Sequence, residues 1–258
     1  PPGRLGEVIT VASASGGCGK TFLATNMAAF FSKYANKSAC LIDLDLQFGE
    51  VTHALQLRPR YTIADVLEHR ADGLEAMDSH LDEYLVRHES GLAVLAAPRD
   101  PSEADRIEAQ DVGAIIEMVR RRFDMVVVDT PAAVTEVVLA AFDHSNFLYT
   151  VATMDLPSLR NAQVFQQMLD RLHIPSSNIR LAINKAEEGI GIDVNGLRPY
   201  FTRQIDPVLP YSKEVSKSIN QGIPVILSNP VAHISHLMFK SFVSLLDEEE
   251  QSLSLIHI

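Results

Sequence analysis

A run of small residues ends in a lysine and a threonine at residues 12–28, ASASGGCGKTFLATNMA. Glycines at positions 16, 17 and 19 allow the backbone to turn its N–H groups toward one point, where they can bind phosphate oxygens. Lys20 would reach the outer phosphates of a nucleotide, and the Thr21 hydroxyl suits Mg²⁺. Ala14 occupies the first glycine position of the strict G-x-x-x-x-G-K-[ST] pattern. The spacing predicts a phosphate-binding loop, because a turn that only joins a strand to a helix does not require Gly-Lys-Thr.

Acidic residues follow two other apolar runs. Asp43 and Asp45 come after the run at 39–42, and Asp129 ends the run at 125–128. If both runs are parallel strands of one sheet, these carboxylates lie at the same edge as the phosphate loop. Solvated loop acids or a helix N-cap are the alternative for Asp43 and Asp45. A buried strand seldom ends in an acid without a partner, which favours a functional role for Asp129.

An alternation of apolar runs and amphipathic stretches must position these residues. Several runs are apolar throughout, as is typical of strands covered on both faces. Strands are predicted at 8–12, 39–42, 92–97, 125–128, 147–150, 179–183 and 207–209, and helices at 20–35, 102–123, 156–172 and 213–221. This order predicts an α/β fold with a doubly wound, mostly parallel β-sheet and helices on both faces.

Length and composition restrict the class of protein. The 258 residues are 47% hydrophobic and 21% charged, as in an ordinary globular domain with a sizeable core. A net charge of −11 argues against a nucleic-acid partner. No apolar run approaches the ~18 residues of a membrane span and the start lacks a signal-peptide layout, so we expect a cytoplasmic protein without direct membrane insertion. Cys18 and Cys40 are expected to be reduced thiols.

A single domain is expected over residues 7–246, since no internal repeat and no dividing linker is found. Residues 1–6, PPGRLG, are interpreted as the remnant of a linker. Residues 247–258, DEEEQSLSLIHI, are interpreted as an acidic, flexible tail that need not be native sequence.

The loop resembles the deviant Walker A motif of the MinD/ParA superfamily of P-loop ATPases, K-G-G-x-G-K-[ST]. The glycines, Lys20 and Thr21 match this motif, while Ser15 occupies the position of the superfamily's signature lysine. Residues 41–51, LIDLDLQFGEV, resemble its switch I region, and residues 125–134, MVVVDTPAAV, resemble its Walker B strand and switch II. Residues 155–163, 183–189 and 209–225 also match in order, so the resemblance extends roughly from Glu7 to Leu246.

Three short stretches are most similar to one branch of the superfamily. LDLQFG, DLPSLRNA and SINQG resemble the CpaE/TadZ proteins, which serve Tad-type pilus assembly. The resemblance implies an ATP-dependent homodimer that positions pilus assembly and secretion proteins. It also implies recruitment to the cell pole or the inner-membrane face through those partners.

The resemblance implies ATP or ADP and Mg²⁺ as cofactors. Lys20 and Asp45 are implied to be catalytic, with Asp45 orienting the attacking water. Thr21, Asp43 and Asp129 are implied to lie at the metal. The implied cofactor-binding residues are Ser15, Gly16, Gly17, Cys18, Gly19, Lys20, Thr21, Phe22, Asn184, Pro210 and Tyr211.

Asn184 follows the apolar run at 179–183, and the resemblance implies that its amide reads the adenine base. Pro210 and Tyr211 would line the other side of the base. An asparagine that only forms a turn is the competing explanation for Asn184.

Ser15 separates two functional hypotheses. In the superfamily the signature lysine contacts the partner's phosphates, and a trans cation of this kind can matter by ~10³–10⁵ in rate. Serine has no charge, so we expect slow ATP hydrolysis; a nucleotide-gated scaffold without significant hydrolysis is the alternative. A ParA-like DNA-partitioning ATPase is disfavoured by the net charge, and an iron–sulfur protein by the two cysteines.

Overall fold

The computed structural model describes residues 5–187, 189, 191–247 and 251. Most of the predicted tail and the start of the predicted linker lie outside the described residues. Eight strands form one sheet in the order β3-β4-β2-β5-β1-β6-β7-β8, in which β3 is antiparallel to β4 and the other neighbours are parallel. The strands are β1 Glu7–Ala12, β2 Ala39–Asp43, β3 Val86–Arg87, β4 Ala93–Leu95, β5 Met125–Asp129, β6 Phe147–Thr153, β7 Ile179–Ala186 and β8 Gln204–Pro210.

Helices cover both faces of this sheet, which confirms the predicted fold class. One face packs against α1, α11 and α12, and the other against α6, α7 and α8. The helices are α1 Lys20–Lys33, α2 Val51–Ala54, α3 Ile63–Val66, α4 Leu74–Ser79, α5 Leu81–Tyr84, α6 Ala109–Arg120, α7 Glu136–Asp143, α8 Leu156–Arg171, α9 Val194–Leu197, α10 Lys213–Gln221, α11 Val225–Ser228 and α12 His233–Val243. In the described part of the chain no helix has the length and apolar character needed to cross a bilayer.

The predicted helix at 102–123 is wrong in its first third. Pro101–Arg106 is a 3-10 helix, and α6 begins only after Glu108. The Glu108 backbone is extended and its N–H donates to Asp111 Oδ2 at 2.8 Å, which completes a capping box. This capping box starts a new helix at a point where the apolar period of the sequence predicts that one helix continues. β3 and the short helices α2 to α5 are not predicted from the sequence.

The first helix, α1, is buried along most of its length. Its residues 23–31 are all buried, because the sheet covers one side and α11 and α12 cover the other. The Phe30 ring lies 5.8 Å from the Phe239 ring and 5.7 Å from the Phe242 ring. Asn26 Oδ1 accepts a hydrogen bond from Ile226 N at 3.0 Å. The start of α1, where the phosphate loop ends, is therefore held in place by a packed core.

Candidate functional site

The predicted phosphate loop connects the carboxyl end of β1 to the start of α1. Gly17 has φ +70° and Gly19 has φ +99°, a backbone conformation that favours glycine. The Ser15 carbonyl oxygen accepts hydrogen bonds from Ser13 Oγ at 2.6 Å and from Cys18 Sγ at 3.2 Å. The thiols of Cys18 and Cys40 are both buried and free. The loop is thus folded on itself, with Gly16 and Gly17 exposed, Gly19 half-buried and Cys18 buried.

Two carboxylates lie under the start of α1. Asp43 ends β2 and Asp129 ends β5, and the two residues are partners in the parallel register of these strands. Thr21 Oγ1 donates to Asp129 Oδ2 at 2.6 Å. Asp129 Oδ1 is buried and has no hydrogen-bond partner among the described residues. Asp43 accepts from Asp45 N at 3.1 Å and, more weakly, from Val51 N at 3.3 Å.

Burial makes the charges of this pair unfavourable. It raises the pKa of Asp129 to about 7, although the Thr21 hydrogen bond and the Lys20 charge oppose that rise. The pKa of Asp43 also lies well above its ordinary value, first because of burial and then because of the charge on Asp129. A buried carboxylate oxygen without a partner, beside a hydroxyl and a second carboxylate, fits the oxygen ligands of Mg²⁺. The residues present therefore suit the metal that the sequence implies.

Asp45 lies in the loop that follows β2, above this pair. Its Oδ1 accepts a hydrogen bond from Phe48 N at 3.3 Å, and the Phe48 side chain is exposed. Asp45 lines a groove of about 490 Å³ together with Lys20, Thr21 and the loop glycines. The groove size lies within the range of sites for small ligands.

The opposite wall of the loop is formed by the end of β7. Asn184 Nδ2 donates to the Cys18 carbonyl oxygen at 2.9 Å, and Asn184 Oδ1 accepts from Lys185 N at 2.9 Å. Lys185 Nζ donates to the Gly17 carbonyl oxygen at 3.2 Å. Both side chains contact loop carbonyls that are consecutive in the chain. The predicted set of cofactor-binding residues left out Lys185, whose only sequence signal is its place directly after Asn184.

The comparisons with known proteins agree with this geometry. The profile of the CobQ/CobB/MinD/ParA nucleotide binding domain family (CbiA) matches residues 9–225. The chain belongs to this family. A septum site-determining protein MinD from Thermotoga maritima is 27% identical over 233 residues, 87% of this chain and 82% of the relative.

Two solved structures share the MinD/ParA fold. A ParA family ATPase from Chlorobium tepidum superimposes with a TM-score of 0.84 at 23% identity, over 94% of this chain and 99% of that one. MinD from Pyrococcus horikoshii, solved with Mg-ADP, superimposes with a TM-score of 0.82 at 16% identity, over 96% and 99% of the two chains. These findings confirm the predicted superfamily. The resemblance to the CpaE/TadZ branch stays a prediction.

Not all residues predicted for this MinD/ParA site meet in the groove. Gly16, Gly17, Gly19, Lys20, Thr21, Phe22, Asp45 and Asn184 line it. Pro210 lines a separate cavity of about 570 Å³, between β8 and α12, and Tyr211 is 59% exposed. The far end of the groove is instead apolar, with Val215, Ile219 and Ile223 from α10 and the turn after it. The sequence did not predict this apolar stripe, because most residues of α10 are polar.

Ser15 contacts α8 rather than the groove. Asn161 Nδ2 donates to Ser15 Oγ at 3.1 Å. A neutral hydroxyl, bonded within the same chain, thus occupies the position of the superfamily's signature lysine. Lys20 and Lys185 are the cationic side chains that line the groove in the described part of the chain.

Proposed function

We propose that this chain binds ATP with Mg²⁺ in the groove, forms a homodimer in the ATP-bound state and hydrolyses ATP slowly. The observation that supports it most directly is the contact of Thr21 with Asp129, whose second oxygen is buried without a partner among the described residues. A divalent cation beside a phosphate loop would compensate the charge of the buried carboxylates.

Each residue has a defined part in this proposal. The N–H groups of the loop and the Lys20 ammonium would bind phosphate oxygens, while Thr21, Asp43 and Asp129 would hold Mg²⁺ directly or through its waters. The bound metal supplies charge stabilisation for phosphoryl transfer. Asp45, in the loop above the metal residues, would orient the attacking water. Asn184 is proposed near the base; Pro210 and Tyr211, which the resemblance implies there as well, do not line the groove.

Slow hydrolysis follows from the residue at position 15. Hydrolysis of ATP increases the charge on the leaving phosphates, which a cation from the partner subunit would stabilise. Ser15 cannot supply that charge, and its hydroxyl is bonded to Asn161. Binding and dimerisation do not require the charge to the same extent. A nucleotide-gated scaffold without significant hydrolysis is therefore the second candidate.

The cellular role proposed is the positioning of Tad-type pilus assembly machinery. The stretches LDLQFG, DLPSLRNA and SINQG support it by their similarity to CpaE/TadZ proteins. A relative named for determining the septum site also has a positional role, which supports a positioning function in general. We propose that pilus and secretion proteins bring the chain to the pole or the inner-membrane face. The net charge of −11 disfavours the DNA-partitioning alternative.

The test is to restore the missing charge. In Ser15→Lys we expect ATP turnover to rise by about tenfold or more, with nearly unchanged ATP affinity, since the charge acts on the transition state across the dimer. Ser15→Met is the matched control, because it adds a side chain of similar length without charge. Adding Asp45→Ala to Ser15→Lys should abolish the gain, and the gain should increase with protein concentration.

Three results would contradict the proposal. ATP affinity unchanged in Lys20→Ala by calorimetry would remove the phosphate-loop assignment. Brisk turnover in the wild-type chain would show that another cation replaces the signature lysine. An unchanged rate in Ser15→Lys, with a dimer confirmed by light scattering, would show that this position does not limit hydrolysis.

A further inference from the structure

The end of β7 holds the phosphate loop through two side chains. Asn184 Nδ2 lies 2.9 Å from the Cys18 carbonyl oxygen, and the Asn184 side chain is buried, with 8% exposure. Lys185 Nζ lies 3.2 Å from the Gly17 carbonyl oxygen. Two consecutive carbonyls of a glycine-rich loop thus have donors that come from one short segment, 166 and 168 positions later in the sequence.

These contacts determine the direction of two N–H groups. In a planar trans peptide the N–H points opposite to the C=O of the same unit. Holding the Gly17 carbonyl therefore orients the N–H of Cys18, and holding the Cys18 carbonyl orients the N–H of Gly19. Both N–H groups point away from their carbonyl partners, as phosphate binding by a loop of this kind requires.

The segment that supplies the donors is itself held in one shape. Lys185 has φ +53°, a left-handed conformation that is uncommon for a side chain of its kind. Its backbone N–H donates to Asn184 Oδ1 at 2.9 Å, which stabilises this turn. The loop also approaches Asn184 closely, since a Cβ on Gly19 would lie 2.2 Å from Asn184 Nδ2. The contact therefore depends on a glycine at position 19.

We propose that Asn184 and Lys185 are positioning residues that hold the phosphate loop in its binding conformation, and that Asn184 contributes to phosphate affinity in this way in addition to its place near the base. The inference rests on the proposed function of the groove. It predicts that a ligand with phosphates and no base is weakened by the loss of Asn184. An amide has two N–H donors and two acceptor lone pairs; the loop and Lys185 use one of each, so one of each is left for a base.

A ligand without a base separates the two roles of Asn184. Competition binding would compare ATP and inorganic tripolyphosphate, each with Mg²⁺, on the wild type and on Asn184→Ala. We expect Asn184→Ala to weaken tripolyphosphate by about tenfold, because the hydrogen bonds of Asn184 with the Cys18 carbonyl and with Lys185 N are lost. ATP should be weakened by at least the same factor. Asn146→Ala is the control, since Asn146 Oδ1 also accepts from a backbone N–H, that of Val8, at the other edge of the sheet.

Substitutions of Lys185 test the same inference independently, in the same binding experiment. Lys185 is exposed, so that Lys185→Met should fold even if Asn184→Ala does not. We expect Lys185→Met to weaken both ligands by about threefold, and Lys185→Arg to restore them, since arginine again donates to the Gly17 carbonyl. Lys33→Met, at the far end of α1, controls for the loss of one charge.

The outcomes distinguish this inference from the proposed function. Unchanged tripolyphosphate affinity in Asn184→Ala, together with a loss of ATP affinity, would overturn the inference and leave the nucleotide site in place. Unchanged tripolyphosphate affinity in Lys185→Met would overturn the part assigned to the lysine. A wild-type chain that binds neither ATP nor tripolyphosphate would overturn the proposed function and the inference together.

Discussion

The two walls of the phosphate loop differ in how well their polar groups are paired. On the β7 wall, Asn184 and Lys185 both bond to loop carbonyls. On the wall formed by β2 and β5, two buried carboxylates face each other in register, and Asp129 Oδ1 lacks a partner among the described residues. The first wall is complete in the protein alone. The second wall would be completed by a cation.

The contacts of the β7 wall are therefore present with or without ligand, whereas those of the acidic wall depend on a bound cation. The β7 wall should have the same structure with and without ligand, because its hydrogen bonds are already formed. The acidic wall costs stability in the ligand-free protein, since burial opposes ionisation of both carboxyls. A bound Mg²⁺ would remove that cost, so the stability of this wall should follow the ligand. Three sets of substitutions test this contrast.

The largest effect is expected from Asp129→Asn, which removes one buried charge and keeps the shape. The pKa of Asp129 in the fold is about 7 against an ordinary value of 3.8, so the folded state binds the extra proton. Ionisation of the carboxyl in the unfolded state therefore lowers wild-type stability as pH rises from about 4 to 7, with no further loss above that. We expect Asp129→Asn to be more stable at pH 8 without metal, by roughly 3 kcal/mol in the free energy of unfolding.

Denaturant unfolding at pH 4 and pH 8, with and without Mg²⁺, checks this prediction. The two proteins should converge at pH 4, and added Mg²⁺ should stabilise only the wild type. Equal stability at pH 8 would mean that the acidic wall is neutralised within the chain. The comparison of the two walls would then fail.

A series of alanines in the loop tests the β7 wall with a smaller expected effect. Gly19→Ala combines a φ of +99° with a Cβ only 2.2 Å from Asn184 Nδ2, and we expect a loss of about 2 kcal/mol or more. Gly17→Ala has the strained φ but no described atom within 4 Å of the new Cβ, so about 1 kcal/mol is expected. Gly16→Ala has neither feature and should be nearly neutral.

Unfolding free energies of the three ligand-free variants give the order directly. Equal losses at positions 17 and 19 would show that Asn184 yields to the added methyl group. The β7 wall would then be able to rearrange and would not be preformed.

The smallest effect is expected from Asn161→Ala. Its hydrogen bond to Ser15 Oγ is exposed, so its loss should change the free energy of unfolding by less than about 0.5 kcal/mol. ATP affinity should change by less than about threefold, because this contact lies outside both walls. Gln163→Ala, two positions along α8, is the matched control. A tenfold loss of ATP affinity would instead place Asn161 in contact with the ligand or with a partner subunit.

Local patterns in the sequence predict much of the acidic wall. The acids at the ends of β2 and β5 and the glycine loop after β1 are each recognisable where they stand, and parallel strands bring their ends to one edge. The contact of Thr21 with Asp129 follows from that placement. The sequence therefore predicts a functional role for Asp129. It does not predict that Asp129 Oδ1 is buried without a hydrogen-bond partner among the described residues.

The β7 wall could not be predicted in the same way. Asn184 is recognisable, but its donation to Cys18 depends on the left-handed turn at Lys185 and on the close approach of Gly19. The approach of Gly19 joins segments that are distant in the chain, and the turn is a left-handed backbone conformation that lysine seldom adopts. The break before α6 was missed for a different reason: a local hydrogen bond from Glu108 N to Asp111 Oδ2 starts a new helix, although the apolar period of the sequence continues through this point. The apolar end of the groove could not be predicted either, because it depends on which side of α10 faces the groove.

The place of β1 in the sheet has a consequence for biosynthesis. Although β1 is the first strand in the chain, its two neighbours are β5 and β6: Glu7 pairs with Met125, and Ile9 pairs with Phe147. On the ribosome, β1 therefore remains without its neighbours until residues 125 and 147 have been made. Nascent strands with unpaired edges and exposed apolar side chains are prone to aggregate. A chain arrested between α1 and β5 should thus depend on chaperones for solubility, and the groove should become competent only after β7 leaves the exit tunnel.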